Sequence, residues 1–363
     1  MKTVLIAGAT GVVGESAVAH FAGLGDWDVI AVSRRPPEPV KAGTFRHLAV
    51  DLTDATTSAR AFSDLTGVTH VVYAALFEKP GLIAGWRERD QMETNLSMLR
   101  NLLEPLADAS KGLRHVTLLQ GTKAYGVHVQ PQIPLPARER APRHDHENFY
   151  WLQEDYLRAK AAERGWSWTI FRPQLIVGAA WGVAMNPVLT AGVFGSILKV
   201  EGKPFSFPGG SAHVGEIVDP RLLAEAFAWA AESPAAANET FNVTNGDVYN
   251  WREVWPAMAD ALGMQVGPDA PLKLADYLPS RAQAWQGIVE RHGLRPIPLM
   301  ALLGESHHYA DRVFRHGVEK ITLPTIVSTV KLRQAGFTRV FDSEDTLRHW
   351  LGVLMERKII PSA

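Results

Sequence analysis

The residues nearest the start of the chain that could do chemistry are glycines. Gly8-Ala9-Thr10-Gly11-Val12-Val13-Gly14 follows the apolar run Lys2 to Ala7 and precedes a helical stretch, Glu15 to Leu24. A strand, a glycine loop and a helix in that order make a cradle for a dinucleotide pyrophosphate. Gly8 permits the turn off the strand, Gly11 lets the backbone come close to the phosphates, and Gly14 lets the helix pack onto the sheet. The loop and helix N-terminus, with Thr10, Val12 and Val13, offer free N–H groups and a partial positive charge. The second strand ends in Ser33-Arg34-Arg35-Pro36, where the adenosine ribose would lie. An acidic residue there would bind the 2′-OH of NAD. Arginines suit the 2′-phosphate of NADP, because a planar guanidinium bonds phosphate bidentately. No Asp or Glu stands at that strand end; Glu38 comes later, beyond two prolines. The expected cofactor is therefore NADPH. Asp51 and Leu52 fall where the adenine ring would lie, and Ala74 and Ala75 are small enough to let the cofactor pass. Further along, Tyr156-Leu157-Arg158-Ala159-Lys160 is a literal YxxxK, the active-site spacing of carbonyl reductases and epimerases.

These residues need a framework, and the pattern supplies one. Apolar runs at Lys2–Ala7, Trp27–Ser33, His47–Leu52, Val68–Ala75, His115–Leu119 and Trp166–Arg172 read as strands. Helical stretches fall between them, among them Glu88 to Ala109, with Met92, Leu96, Leu99, Leu103 and Leu106 at helical spacing, and Glu147 to Arg164, stopped by Gly165. The alternation predicts an α/β fold with a parallel, doubly wound Rossmann-type sheet. The GxxGxxG spacing is that of short-chain dehydrogenases. Beyond Pro173 the alternation loosens. Residues 213–245 and 316–342 are expected to return to a nucleotide-binding domain formed by residues 1–178. Segments 179–212, 246–315 and 343–363 would form a smaller, discontinuous substrate-binding part, ending in a helix capped by Asp342.

Composition narrows the rest. The chain has 363 residues, 46% of them apolar, enough for a full core. A net charge of −1 gives no electrostatic case for nucleic acid or an anionic membrane as partner. With no cysteine, disulfides, thiolate catalysis and cysteine-held metals are excluded. No apolar run approaches spanning length, and the first strand starts at the N-terminus with no leader before it, so a cytoplasmic protein is expected. His144, His146, His307 and His308 lack a carboxylate motif, and no metal is expected.

After the fifth strand stands Gln120-Gly121-Thr122-Lys123-Ala124-Tyr125-Gly126. Extended short-chain dehydrogenases often carry SSxxVYG there. The serine is missing, Gly121 or Thr122 stands near its place, and Lys123 appears instead. On the next helix, Asn148-Phe149-Tyr150-Trp151-Leu152-Gln153-Glu154-Asp155, the fourth residue after Tyr150 is Glu154 rather than lysine. This combination resembles the progesterone 5β-reductase/iridoid synthase-like family of enone reductases. That family has a TGxK-type segment after the fifth strand and NFYYxxED on the following helix. Trp151 replaces the second tyrosine here. Ser33-Arg34-Arg35-Pro36 and the terminal Trp350-Leu351-Gly352 to Ile359-Ile360-Pro361 also look like the family, and the resemblance spans nearly the whole chain.

The resemblance implies NADPH-dependent reduction of the activated C=C of a small α,β-unsaturated carbonyl compound, allows a homodimer, and assigns Tyr150 and Lys123 as the catalytic pair. Hydride added to the β-carbon leaves negative charge on the carbonyl oxygen, where a Tyr150 hydroxyl would stabilise the enolate. An ammonium nearby, from Lys123, would favour the ionised phenol. The first alternative is an NADP-dependent carbonyl reductase or epimerase using Tyr156 and Lys160. Tyr156 lies about 9 Å along the helix from Tyr150 and roughly 240° around it, so both cannot face one nicotinamide. The second is a non-catalytic NADP-sensing regulator, which would need no tyrosine–lysine pair.

Overall fold

A computed structural model describes residues 2–130 and 132–363. The first part alternates as expected: β1 (Lys2–Ala7), α1 (Val12–Leu24), β2 (Trp27–Ser33), β3 (Arg46–Ala49), α2 (Ala55–Ser63), β4 (His70–Tyr73), α3 (Arg89–Ala109), β5 (His115–Leu119), α4 (Phe149–Arg164) and β6 (Ser167–Pro173). Two short strands, β7 (Leu175–Ile176) and β8 (Val214–Gly215), flank α5 (Pro187–Val200). Then come β9 (Ile217–Val218), α6 (Pro220–Glu232), β10 (Glu239–Val243), β11 (Tyr249–Asn250) and α7 (Trp251–Ala261). The chain continues through α8 (Leu274–Tyr277), α9 (Ala282–His292), α10 (Leu299–Leu303), α11 (Ser306–Val313), α12 (Val330–Gln334) and α13 (Ser343–Glu356).

Seven strands form one sheet in the order β10-β6-β5-β4-β1-β2-β3, and every pairing is parallel. The order reverses beside β1, at the switch point where open α/β sheets bind ligands. Both faces are covered, so the strands read as continuous apolar runs. Alternate β1 residues serve different faces: Val4 and Ile6 pack with Val18 and Phe21 of α1 and Leu222 and Phe227 of α6. Leu5 and Ala7 pack with Phe62 of α2, Leu99 and Leu103 of α3 and Leu157 of α4.

Two expectations shift. β3 ends at Ala49, so Asp51 and Leu52 lie beyond the strand, where Asp51 Oδ1 accepts the Thr53 N–H at 3.0 Å and fixes a turn. Residues 179–212 and 246–315 are more helical than their patterning suggests. Twelve of the fourteen residues of α5 are buried, leaving no polar stripe to betray a helical period. Around α5 a separate aromatic core gathers Phe205, Trp251, Trp255, Trp285, Phe314 and Trp350. Among the described residues no helix is long and apolar enough to cross a membrane.

Candidate active site

One cleft of about 1270 Å³ runs from the glycine loop to Tyr150 and on between the sheet and α11. Single-ligand pockets are typically about 300–1,000 Å³, so there is room for a dinucleotide and a second molecule. At the loop, Gly8 has φ +83° and a Cβ there would lie 2.7 Å from the Ala74 carbonyl carbon. A Cβ on Gly14 would lie 2.1 Å from Gly8 O, so only glycine lets α1 seat there. Gly11 N-caps α1 with no side-chain acceptor, leaving the first-turn N–H groups for a ligand. These features fit a pyrophosphate. Of the expected cofactor residues, Gly8, Thr10, Gly11, Val12, Val13, Ser33, Arg34, Arg35, Asp51, Leu52, Ala74 and Ala75 line the cleft. Gly14 does not; it packs beneath the loop.

The two arginines differ. Arg34 is exposed at the cleft. Arg35 lies 3.4 Å over the Trp181 ring and donates from Nη2 to Trp181 O at 2.5 Å. Nearby, Glu38 pairs with Arg295 at 2.5 Å, and Glu15 of α1 pairs with Arg357. Glu38 therefore already has an arginine partner.

Tyr150 and Lys123 also line the cleft. Tyr150 sits in the first turn of α4, buried against Phe149, with its hydroxyl over Gly121; a Cβ on Gly121 would lie 3.1 Å from it. The glycine standing near the missing serine thus makes room for the phenol. Asn148 ties the two residues together: Oδ1 accepts the Tyr150 N–H at 3.0 Å and Nδ2 donates to Lys123 O at 2.8 Å. Burial and the Glu78 carboxylate push the Tyr150 phenol well above its ordinary value, so it is a hydroxyl donor rather than a phenolate.

The expected influence of Lys123 on that phenol is not what the geometry shows. The Lys123 ammonium pairs with Glu78 at 3.2 Å and lies 4.1 Å from the Trp86 ring centroid. Its positive charge is balanced by the carboxylate, and burial lowers its pKa. Gln91 of α3 holds the other Glu78 oxygen at 2.6 Å. Sequence reasoning missed Glu78 and Gln91; β4 and α3 bracket Glu78 without any period that marks it.

Glu154, where lysine usually stands, is a buried anchor. It accepts from Arg172 at 3.0 Å and pairs with Arg158 at 2.8 Å. Arg172, at the end of β6, also donates to Gln120 at 2.9 Å and so serves as scaffold. The YxxxK pair lies elsewhere: Tyr156 donates to Glu104 of α3 at 2.8 Å, Lys160 pairs with Glu104 at 2.7 Å, and neither lines the cleft. That face of α4 is turned to α3, which corrects the carbonyl-reductase alternative built on it. His144 meets Lys123 O at 3.3 Å and His146 meets Glu147 O at 2.5 Å, while His307 and His308 sit on α11. Among the described residues no group of three or more His, Asp or Glu is arranged to hold a metal ion.

The sequence profile of the NAD dependent epimerase/dehydratase family matches residues 4–244, and the chain belongs to that family. It is an oxidoreductase of the extended short-chain dehydrogenase type. Among solved structures, UDP-glucose 4-epimerase from Bifidobacterium longum, in complex with NAD+ and UDP, shares the fold with a TM-score of 0.67 at 16% identity, covering 99% of both chains. RMD from Pseudomonas aeruginosa, complexed with NADPH, gives 0.66 at 16%, covering 98% of this chain and 100% of that one. Curated relatives are nearer in sequence. The 3-oxo-Delta(4,5)-steroid 5-beta-reductase of Arabidopsis thaliana is 33% identical over 98% of this chain and 92% of its own. The (S)-8-oxocitronellyl enol synthase of Antirrhinum majus is 30% identical with the same coverage. Within the larger family, then, the chain is a member of the progesterone 5β-reductase/iridoid synthase-like group.

Proposed function

We propose that the chain is an NADPH-dependent reductase of the activated C=C of α,β-unsaturated carbonyl compounds. The observation that carries this reading is the Tyr150 phenol: buried, held protonated, and set in the cleft that begins at the glycine loop. The relatives named for steroid 5-beta-reduction and for enol synthesis support it. Residues Gly8 to Val13 would hold the pyrophosphate, Arg34 and Arg35 the 2′-phosphate, and Asp51, Leu52, Ala74 and Ala75 the adenosine side. The cofactor supplies the hydride. Tyr150 donates a hydrogen bond to the carbonyl oxygen, a bond that strengthens as enolate charge develops. Lys123 acts with Glu78 as a fixed pair beneath Trp86. It orders the wall beside the phenol and places a dipole there, in a region from which water is largely excluded. The separate aromatic core supports a nucleotide-binding domain of residues 1–178, 213–245 and 316–342 beside a substrate-binding part formed by the rest.

The test is product analysis with deuterium-labelled NADPH. A saturated ketone with deuterium on the β-carbon is the expected product. An allylic alcohol with its C=C intact would assign carbonyl reduction instead. Tight NADPH binding without turnover of enones, aldehydes or ketones would favour a sensor.

A further inference from the structure

Past Tyr150, the wall of the cleft formed by α11 and the residues after it is unbalanced in charge. The carboxylates that line the cleft all have other partners. Asp51 holds the Thr53 turn, and Glu78 holds Lys123 and Gln91. Glu216 accepts the Val327 N–H at 2.8 Å, and Glu305 accepts the Gly81 N–H at 2.9 Å. Asp311 accepts the Leu274 and Ala275 N–H groups at 2.7 and 2.9 Å. Two guanidinium groups on that wall are left over. Arg312 donates to Val127 O at 3.0 Å, and Arg315 to Thr322 Oγ1 at 2.6 Å. Among the described residues no carboxylate pairs with either.

Arg315 is also held in an unusual conformation. Its φ is +64°, a left-handed backbone that side-chain-bearing residues seldom adopt. Its Nε is buried with no acceptor, and so are the Nδ1 atoms of His213 and His316, which line the cleft with it. Partial burial lowers the Arg315 pKa. Arg315 is half-buried and Arg312 exposed, so both guanidinium groups can meet an anion that enters the cleft.

We infer that Arg315 and Arg312 form an anion subsite, and that the substrate is an α,β-unsaturated carbonyl compound carrying a carboxylate at its far end. This rests on the enone-reductase reading for the reaction but not for the subsite. Tyr309, on the same helix as Arg312, lines the cleft with Tyr150 and Glu78. Arg315 stands six positions after Tyr309, just past the end of α11 at Val313, and lines the same cleft. A substrate whose carbonyl meets Tyr150 would present its carboxylate further along that wall. The bidentate fork of an arginine suits a carboxylate better than a neutral ester or hydroxyl.

The experiment compares a medium-chain enone with a terminal carboxylate against its methyl ester. The ratio of kcat/KM for acid over ester is measured for the wild type, Arg315→Gly and Arg312→Gln. Glycine suits the left-handed backbone, so Arg315→Gly removes the charge while relieving strain. Arg312→Gln gives a second reading without touching that turn. In parallel, tryptophan fluorescence of the NADP+-loaded enzyme reports binding of the saturated keto acid and its ester. The wild type is expected to favour the acid by roughly 10- to 100-fold, mostly through KM, and Arg315→Gly to bring the ratio near one. Arg312→Gln is expected to reduce it partway. Equal handling of acid and ester by the wild type, or an acid preference that survives in Arg315→Gly, overturns the subsite and leaves the reaction standing. If no enone is reduced but the keto acid binds more tightly than its ester and Arg315→Gly removes the difference, the subsite stands and the reaction does not.

Discussion

Asn148 offers a sharp test of how the site is assembled. Its side chain makes two bonds with different functions: Oδ1 caps α4 through the Tyr150 N–H at 3.0 Å, and Nδ2 reaches across 25 residues to Lys123 O at 2.8 Å. Removing an Asn N-cap costs about 1 kcal/mol. Leaving a buried carbonyl without a donor costs about 1–3 kcal/mol, reduced here because His144 also meets Lys123 O, at 3.3 Å. Asn148→Ala should therefore lose about 2–3 kcal/mol, measured by urea unfolding. Asn148→Ser keeps a capping oxygen but cannot bridge to Lys123, so it should recover the cap and lose only about 1–2 kcal/mol. Activity separates the two bonds further. If the bridge sets the Lys123 turn relative to Tyr150, both variants should lose about tenfold or more in kcat, since a small misplacement at a catalytic centre is expensive. NADPH binding, measured in parallel, should hold. A serine variant with wild-type stability and wild-type kcat would mean that Asn148 is a helix cap and nothing more.

Three further outcomes are expected. Tyr150→Phe should lose about 10²–10³ in kcat on a poorly activated enone, whereas Tyr156→Phe, whose hydroxyl meets only Glu104, should stay within a few-fold; the reverse ranking would overturn the site. Arg34→Ala should weaken NADPH binding by about tenfold or more and barely change NADH, checked by fluorescence titration; equal loss of both would remove the 2′-phosphate role. Burial pushes the Glu216 carboxyl up to about 7, above its ordinary 4.5. The folded state then keeps a proton that the unfolded chain releases, so this contribution is fully present below about 4.5 and is lost as pH rises to about 7. Glu216→Gln should flatten thermal stability across that window, and an unchanged slope would rule Glu216 out as its source.

The legible parts of the molecule were those with local rules. The glycine loop, the parallel strands, the Gly165 stop of α4 and the Asp342 cap of α13 follow from short patterns: Gly165 takes the left-handed conformation and Asp342 accepts the Asp345 N–H. The place of Tyr150 was legible only through resemblance, because nothing local separates it from Tyr156; the difference is which face of α4 meets α3. Glu78 could not be foreseen. It follows β4 in a stretch with no period, and its partners Lys123 and Gln91 come from two other elements. The helix in residues 179–212 was hidden for the opposite reason. A helix such as α5, buried nearly all round, carries no alternation of apolar and polar residues to read.

The stacking of Arg35 on Trp181 bears on redesign. Changing a dehydrogenase from one nicotinamide cofactor to the other is usually approached as an exchange of side chains at the end of the second strand. Here that exchange is not modular. Arg34 stands alone, but Arg35 also holds the Trp181 carbonyl, and the next residue, Gly182, is so close to Ala301 O that a Cβ would sit 3.0 Å away. Replacing Arg35 with an acidic residue would therefore loosen the segment that begins the far wall. A switch to NADH would alter substrate fit at the same time, unless position 35 is left intact and the preference is moved through Arg34 alone.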